Sequence, residues 1–229
     1  TAIFIGGRDL WTGQALLEAV KSRFFADFRV SVMLDSNGSN TTAAAGVARI
    51  ATSTEISGKR AVVLAGTGPV GQQAAVLLAR EGAEVVLTSR KLERARQVCK
   101  VLQERFGVEV TPLEAADCEA RGRAIAEAQI VFAAGAAGVR LLEERHWRDH
   151  PQLEVLIDAN ATPPLGIAGV EMADRGTVRH GKICFGAIGF GILKLALHRA
   201  CIAKLFERND QVFDLEEIYA LARELTKTV

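Results

Sequence analysis

Residues 61–79 read AVVLAGTGPVGQQAAVLLA: an apolar run rich in β-branched residues, three glycines in G-x-G-x-x-G spacing, and an apolar helical pattern. Few folds accommodate that order. A strand that turns at once into a helix aims the helix's first amides, and the positive end of its dipole, at whatever lies above the turn. In such a turn Gly66 permits the tight bend, Gly68 lets the backbone approach a pyrophosphate with no side chain between, and Gly71 lets the helix pack on the strand. The expected dinucleotide contacts are therefore Gly66, Thr67, Gly68, Pro69, Val70 and Gly71. The same glycines would serve a plain strand-to-helix turn that needs positive φ; the flanking strand and helix favour the dinucleotide.

The next strand, EVVLTSRK, ends about 20 residues beyond the glycines, where an acidic side chain would bind the ribose hydroxyls of NAD. No acid stands there. Ser89, Arg90 and Lys91 offer a hydroxyl and two cations instead, which suits a 2′-phosphate and favours NADP, with the arginine able to donate two parallel hydrogen bonds. A solvated helix start would also explain Arg90 and Lys91. Ala134 and Gly135, just past the predicted strand at 130–133, complete the expected cofactor contacts.

Short β-branched runs alternate with longer helical patterns along the chain, so the fold class is α/β, with parallel strands joined by crossover helices. Strands are expected at 60–65, 84–88, 109–112, 130–133, 155–158 and 183–185, forming a Rossmann-type doubly wound parallel sheet. Before them come a strand at 2–5, a helix at 10–24, a strand at 29–34 and a helix from about Asn40, which resemble half of a smaller α/β domain. The polar stretch Thr52 to Lys59 reads as a hinge around Ser57-Gly58-Lys59. Helical patterns at 192–206 and 215–225 would return to the first unit. The expected division is thus 1–52 with about 200–229 as a partial substrate domain, and 53–199 as the cofactor domain.

A net charge of +1, from 28 basic and 27 acidic residues, gives no global field to attract nucleic acid or an anionic membrane. The basic residues Lys194, His198, Arg199, Lys204 and Arg208 lack the interleaved aromatics that stack bases. No apolar run approaches a membrane span, and no signal peptide is visible. Cys99, Cys118, Cys184 and Cys201 form no C-x-x-C pair and read as reduced thiols of a cytoplasmic protein. The chain starts at Thr1 and enters an apolar run directly, so a natural start further upstream is expected. His146 and His150 have the spacing of two metal ligands on one helix face, but they lack acidic or cysteine partners and Pro151 would end the helix. Exposed histidines and no metal site are expected.

Three segments are candidates for handling substrate. In DSNGSNTTAAAG, the side chains of Asp35, Asn37, Asn40 and Thr41 can cap the following helix or bind a polar heterocycle. DANATPPLGIAG, containing Asn160, follows a predicted strand at the sheet edge where such folds bind ligands; a rigid proline turn is the alternative. In CFGAIGFGILKLALHRACIAKLF, a glycine-rich loop from Gly186 to Gly191 is expected to lead into a helix carrying Lys194. A lysine in a first helical turn opposes the dipole and hints at another task, although a solvated surface lysine is the plainer reading.

Together, TAIFIGG, FRVSVMLDSNGSNTTAAAGVA, KRAVVLAGTGPVG, GAEVVLTSRK, NATPPLGIAG and LKLALHRACIAKLFE resemble the methylene-tetrahydromethanopterin dehydrogenases of methylotrophic bacteria over essentially all 229 residues. The likeness is to the NADP-specific branch, which also accepts methylene-tetrahydrofolate and whose fold is similar to the folate dehydrogenase–cyclohydrolases. It implies an amino acid dehydrogenase-like pairing of the two domains, a tetrahydromethanopterin- or tetrahydrofolate-type carrier as partner, and a homo-oligomer. It also implies that Lys194 is the family's active-site lysine, near the pterin and its reacting carbon, and that the loop from Asp35 to Thr41 belongs to the cleft. Family members carry a further strand and helix ahead of the position of Thr1, on the pterin side. The implied chemistry of one-carbon metabolism is direct hydride transfer from the methylene carbon to the nicotinamide, with Lys194 orienting the carrier and no metal or covalent nucleophile. Two rivals remain at this stage: an NADP dehydrogenase of the same architecture for a shikimate-like or amino acid substrate, and a non-catalytic NADPH-binding regulatory module.

Overall fold

A computed structural model describes residues 1–227 of the chain. It opens with strand β1 (Ala2–Ile5), helix α1 (Leu10–Lys21), strand β2 (Ser31–Leu34) and helix α2 (Ser39–Ser53). Asp9 caps α1 by accepting the Thr12 N–H, and Lys21 sits in its last turn, where a cation complements the dipole. β2 is buried along its whole length because it is the middle strand of a small parallel sheet. β1 pairs with it on one side, and on the other a two-residue strand from far along the chain, Val212–Phe213.

The larger sheet begins with β3 (Arg60–Leu64), α3 (Pro69–Arg80), β4 (Glu84–Ser89), α4 (Leu92–Phe106) and β5 (Val110–Glu114). It continues through α5 (Cys118–Ala124), β6 (Ile130–Ala133), β7 (Val155–Asp158), β8 (Arg175–Arg179) and β9 (Lys182–Phe185). Then follow α6 (Ala187–Lys204), the short strand β10 (Val212–Phe213) and α7 (Leu215–Leu225). The strand order is β5-β4-β3-β6-β7-β9-β8, parallel except for β8. The chain moves outward from β3 through β4 and β5, then crosses back to β6, so the crevice at the carboxyl ends of β3 and β6 is the switch point where such sheets bind ligands.

Helix α2 joins the two sheets. Ala43, Ala44, Ala45 and Ala48 are fully buried, and a Cβ on Gly46 would come within 2.6 Å of the Phe132 ring on β6. The alanine-rich composition lets α2 lie close to the sheet while α3, α6 and α7 pack on its other sides. The stretch read as a hinge is held at three points. Ile56 is buried, Gly58 N–H donates to the Gly82 carbonyl, and Lys59 N–H donates to that of Ile56.

Several local expectations need correction. β8 was not expected, because RGTVR is polar and its apolar Val178 is exposed on an outer strand. Its hairpin signal was the positive-φ pair His180 and Gly181. The glycines from 186 to 191 form no loop: α6 starts at Ala187. A Cβ on Gly186 would lie 1.9 Å from the Glu171 carbonyl oxygen, and one on Gly189 1.7 Å from that of Asp174. These glycines admit a neighbouring backbone rather than a bend. Lys194 consequently lies in the interior of α6, and its supposed conflict with the helix start disappears.

His146 and His150 do not share a helix face and are not simply exposed. His146 ends a 3-10 turn, Glu144–His146, accepts the Glu143 N–H at 3.2 Å and lies 3.3 Å from Glu119. His150 bonds the Ile125 carbonyl and accepts the Leu153 N–H. Among the described residues no cluster of three or more metal-ligating side chains occurs, and no helix is long and apolar enough to cross a membrane.

The four cysteines are unpaired. Burial pushes the Cys99 thiol up to about 11 and those of Cys184 and Cys201 to about 12, whereas Cys118 is half-buried. Since the thiolate is the nucleophile, a thiol reagent at pH 8 should modify Cys118 first and the other three after denaturation. Rapid reaction of all four in the native protein would contradict this burial.

Candidate active site

The turn after β3 is built differently from a simple positive-φ turn. The left-handed residue is Ala65, with φ 52°, and the three glycines of the motif answer to space. A Cβ on Gly71 would stand 2.5 Å from Gly66 Cα, and one on Gly66 would stand 2.8 Å from both Leu87 Cγ and Val63 Cγ1. Both positions seat α3 against the sheet. Gly68 differs, because among the described residues nothing lies within 4 Å of a Cβ placed there.

Gly68 is also the N-cap of α3, no side chain caps that helix, and Pro69 occupies its first turn. The first-turn amides, including those of Val70 and Gly71, have no carbonyl of their own helix to bond, so they and the dipole favour an anion in the open space over Gly68. The turn is braced rather than loose. Gly66 N–H donates to the Thr88 carbonyl, Ala65 N–H to Thr88 Oγ1 and Gln72 Nε2 to the Thr67 carbonyl. These residues fit a pyrophosphate.

Across those bonds lies the end of β4. Ser89 is buried, while Arg90 and Lys91 are exposed. Glu114, the acid at the end of β5, accepts the Leu92 N–H at 2.9 Å. Among the described residues the side chains of Arg90 and Lys91 have no hydrogen-bond or ion-pair partner, so two uncompensated cations stand beside the glycine turn. On the other side of the switch point Ala134 N–H donates to the Leu64 carbonyl at 3.0 Å, which places Ala134 and Gly135 next to the end of β3.

Asn160 follows β7 and organises its own loop. Its Oδ1 accepts from Gly138 and Thr162 and its Nδ2 donates to the Pro164 carbonyl, closing a turn that contains a cis Pro163–Pro164 bond. Burial raises the Asp158 carboxyl, against the opposing effect of the Asn160 and Ile167 N–H groups that it accepts. These two side chains shape the loop.

The second candidate region is a cleft of about 470 Å³ between the β2–α2 turn, the end of β1 and one face of α6. Asp35, Asn37 and Thr41 line it together with Lys194. The Asp35 side chain, only 2% exposed, accepts the Thr41 N–H at 3.1 Å and the Thr41 hydroxyl at 2.7 Å. Asn37 and Gly38 both take positive φ, and a Cβ on Gly38 would sit 3.1 Å from Lys194 Nζ. The ammonium group therefore rests over this turn. Among the described residues it has no ion-pair or hydrogen-bond partner.

Asn40 turns away from the cleft. Its Nδ2 donates to the Leu34 carbonyl and to Asp214, and its Oδ1 accepts from Gln73 on α3. That last bond links α3 to α2, one residue before Thr41. Two contributors escaped the sequence reading. His198 was grouped with the basic residues of α6, although its i, i+4 spacing from Lys194 puts both on one face, and Phe4 had no signal beyond its place at the end of a strand. A larger hollow of about 800 Å³ lies at the amino ends of β3, β4 and β5, near Arg60, Glu84 and Glu109, on the edge opposite the glycine turn.

Comparison with known proteins adds to this geometry. Residues 1–37 match the family model for methylene-tetrahydromethanopterin dehydrogenase, N-terminal, and residues 47–163 match that for shikimate / quinate 5-dehydrogenase. The bifunctional protein MdtA of Methylorubrum extorquens is 56% identical over 227 residues, which are 98% of this chain and 79% of that protein. The NAD(P)-dependent methylenetetrahydromethanopterin dehydrogenase of the same organism is 34% identical over 235 residues, again 98% and 79%. Among solved structures, quinate dehydrogenase from Corynebacterium glutamicum in complex with NAD is 14% identical, has a TM-score of 0.52, and is covered to 97% by 96% of this chain. At that identity the likeness is one of fold.

Proposed function

This chain belongs to the methylene-tetrahydromethanopterin dehydrogenase family, and on that basis we propose that it transfers hydride reversibly between methylene-tetrahydromethanopterin, or methylene-tetrahydrofolate, and NADP. The products are methenyl-pterin and NADPH. One observation carries the reading: an unpartnered ammonium, Lys194 Nζ, is held over Gly38 in a cleft whose helix α2 is bonded directly to the cofactor helix.

When bound, the nicotinamide supplies the hydride acceptor. The chain's own residues bind and orient. The α3 amides would hold the pyrophosphate at the glycine turn, and Ser89, Arg90 and Lys91 would hold the 2′-phosphate. Ala134 and Gly135 border the crevice from β6, and Asn160 shapes the loop beyond β7. In the cleft, Asp35 and Thr41 brace the wall that carries Asn37. Lys194 orients the carrier, because a cation beside a carbon that becomes cationic must act from a set distance. Fixing two reactants in a near-attack arrangement supplies most of the acceleration.

In this reading residues 1–52, with the stretch from about 200 onward, form the carrier domain and residues 53–199 the cofactor domain, whose last helix, α6, lends Lys194 to the carrier cleft. Pairing of β10 with β2 supports that division; residues 228 and 229 of the expected returning stretch lie outside the described residues. The reading extends to a cytoplasmic location, supported by the unpaired thiols, and to a homo-oligomer, as the family resemblance implies.

The test is to mix the purified protein with methylene-tetrahydromethanopterin and NADP and follow NADPH absorbance, then repeat with methylene-tetrahydrofolate. NADPH formation with at least one carrier is expected, and absence of turnover with both would sink the reading. Replacing Arg90 by alanine should raise the KM for NADP by about 10- to 100-fold, the worth of charge-assisted hydrogen bonds to phosphate, and change that for NAD little. Equal effects on the two dinucleotides would remove Arg90 from the phosphate site.

A further inference from the structure

We infer that His198 is a carrier-binding residue, whose Nε2 accepts a hydrogen bond from an N–H of the carrier's heterocycle and whose tautomer is set by the buried carboxylate of Asp35. This deepens the proposed function and rests on it for the identity of the ligand.

Asp35 has almost no solvent, and its two oxygens take both polar groups of Thr41. A carboxylate has about four acceptor positions, so Oδ2 keeps capacity on the side where His198 Nδ1 stands, 3.7 Å away. That separation exceeds a hydrogen bond. It is still short enough for a poorly solvated negative charge to favour the proton on Nδ1 rather than Nε2. Catalytic contacts also tighten commonly when a ligand arrives.

With Nδ1 protonated, a neutral ring presents a lone pair at Nε2. Among the described residues no protein group bonds that nitrogen. The ring is held by Phe4, whose own ring meets it edge to face at 5.8 Å and 80°, and the His198 side chain remains 40% exposed at the cleft. Lys194 lies one turn earlier on the same helix face. The cleft thus offers an ammonium donor and an imidazole acceptor close together, with the apolar Phe4 and Leu195 at its wall. A planar heterocycle carrying ring or exocyclic N–H groups, as a reduced pterin does, satisfies all of these.

The test uses His198→Leu, which removes the acceptor, and His198→Gln, which restores a hydrogen-bonding side chain. For His198→Leu the KM for the methylene carrier should rise about five- to tenfold, the value of one hydrogen bond, while kcat changes by less than about twofold, as when an interaction present equally in ground and transition states is lost. His198→Gln should recover at least half of the rise, and Asp35→Asn should move the KM in the direction of His198→Leu. An unchanged carrier KM in His198→Leu, or a loss confined to kcat, overturns the inference. Direct titration of carrier binding without NADP separates this from the proposed function. If the wild-type protein fails to turn over while His198→Leu still binds carrier more weakly, the function falls and the inference stands; equal binding by the two proteins overturns the inference.

Discussion

Gly68→Asp is expected to weaken NADP binding by at least about 100-fold, the combined cost of repelling an anion and losing its amide contacts, while leaving the melting temperature within about 2 °C of the parent. The two halves of that result come from one place. A Cβ at Gly68 meets nothing within 4 Å among the described residues, and its φ of −83° suits any residue. The position is a helix N-cap, where aspartate is among the preferred residues, so the fold has no objection to the substitution. The carboxylate would occupy the place and carry the charge of the pyrophosphate. Gly71→Ala supplies the contrast: its Cβ would press on Gly66 Cα at 2.5 Å, so overpacking should cost stability by about 1–3 kcal/mol. Fluorescence titration with NADP and thermal unfolding of both variants make the comparison. A Gly68→Asp protein that bound NADP like the parent would remove the dinucleotide from this turn, and with it the enzymatic reading.

Lys194→Ala should lower kcat by about 100-fold, the scale of misplacing a reactant by about an ångström, with NADP affinity and melting temperature unchanged. Lys194 stabilises nothing visible in the protein: among the described residues its ammonium has no hydrogen-bond or ion-pair partner, and it rests over the Gly38 turn. Loss of the side chain therefore breaks no internal contact, and a fall in turnover would report its action on the carrier. Steady-state kinetics with the methylene carrier varied at saturating NADP would measure it. Full turnover in the alanine variant would leave Lys194 as a surface lysine.

These two sites were legible to different degrees. The glycine turn could be read residue by residue, since strand, glycines and helix are contiguous and their spacing reports their contacts. Even there the reason for one glycine needed correction: the left-handed φ at the bend belongs to Ala65, and Gly66 instead makes room for Leu87 and Val63, while Gly71 lets α3 close on Gly66 and Gly68 leaves open space. Lys194 was singled out by resemblance, and the dipole reasoning attached to it failed because the glycines before it are helical. Nothing near them in sequence announces that the carbonyls of Glu171 and Asp174 press on that helix.

Asn40 and His198 show the same limit from opposite sides. Asn40 sits in the loop that lines the cleft, yet Gln73 and Asp214, distant in sequence, hold its side chain in the interior. His198 looked like one more basic residue, and it becomes a candidate ligand contact through Asp35 and Phe4, which the chain delivers from its beginning.

What the amino-acid order determined by itself was whatever depends on neighbours a few residues apart: the alternation of strands and helices, the glycine turn between strand and helix, and Ser89, Arg90 and Lys91 where an acid would otherwise stand. Only the tertiary structure decided which polar side chains face the cleft, which are spent on internal hydrogen bonds, and why particular positions tolerate no Cβ. The physical reason is that backbone conformation answers to local sterics and periodicity, whereas a side chain's direction and partners are set by packing against segments far away in the sequence, as Asp214 is from Asn40.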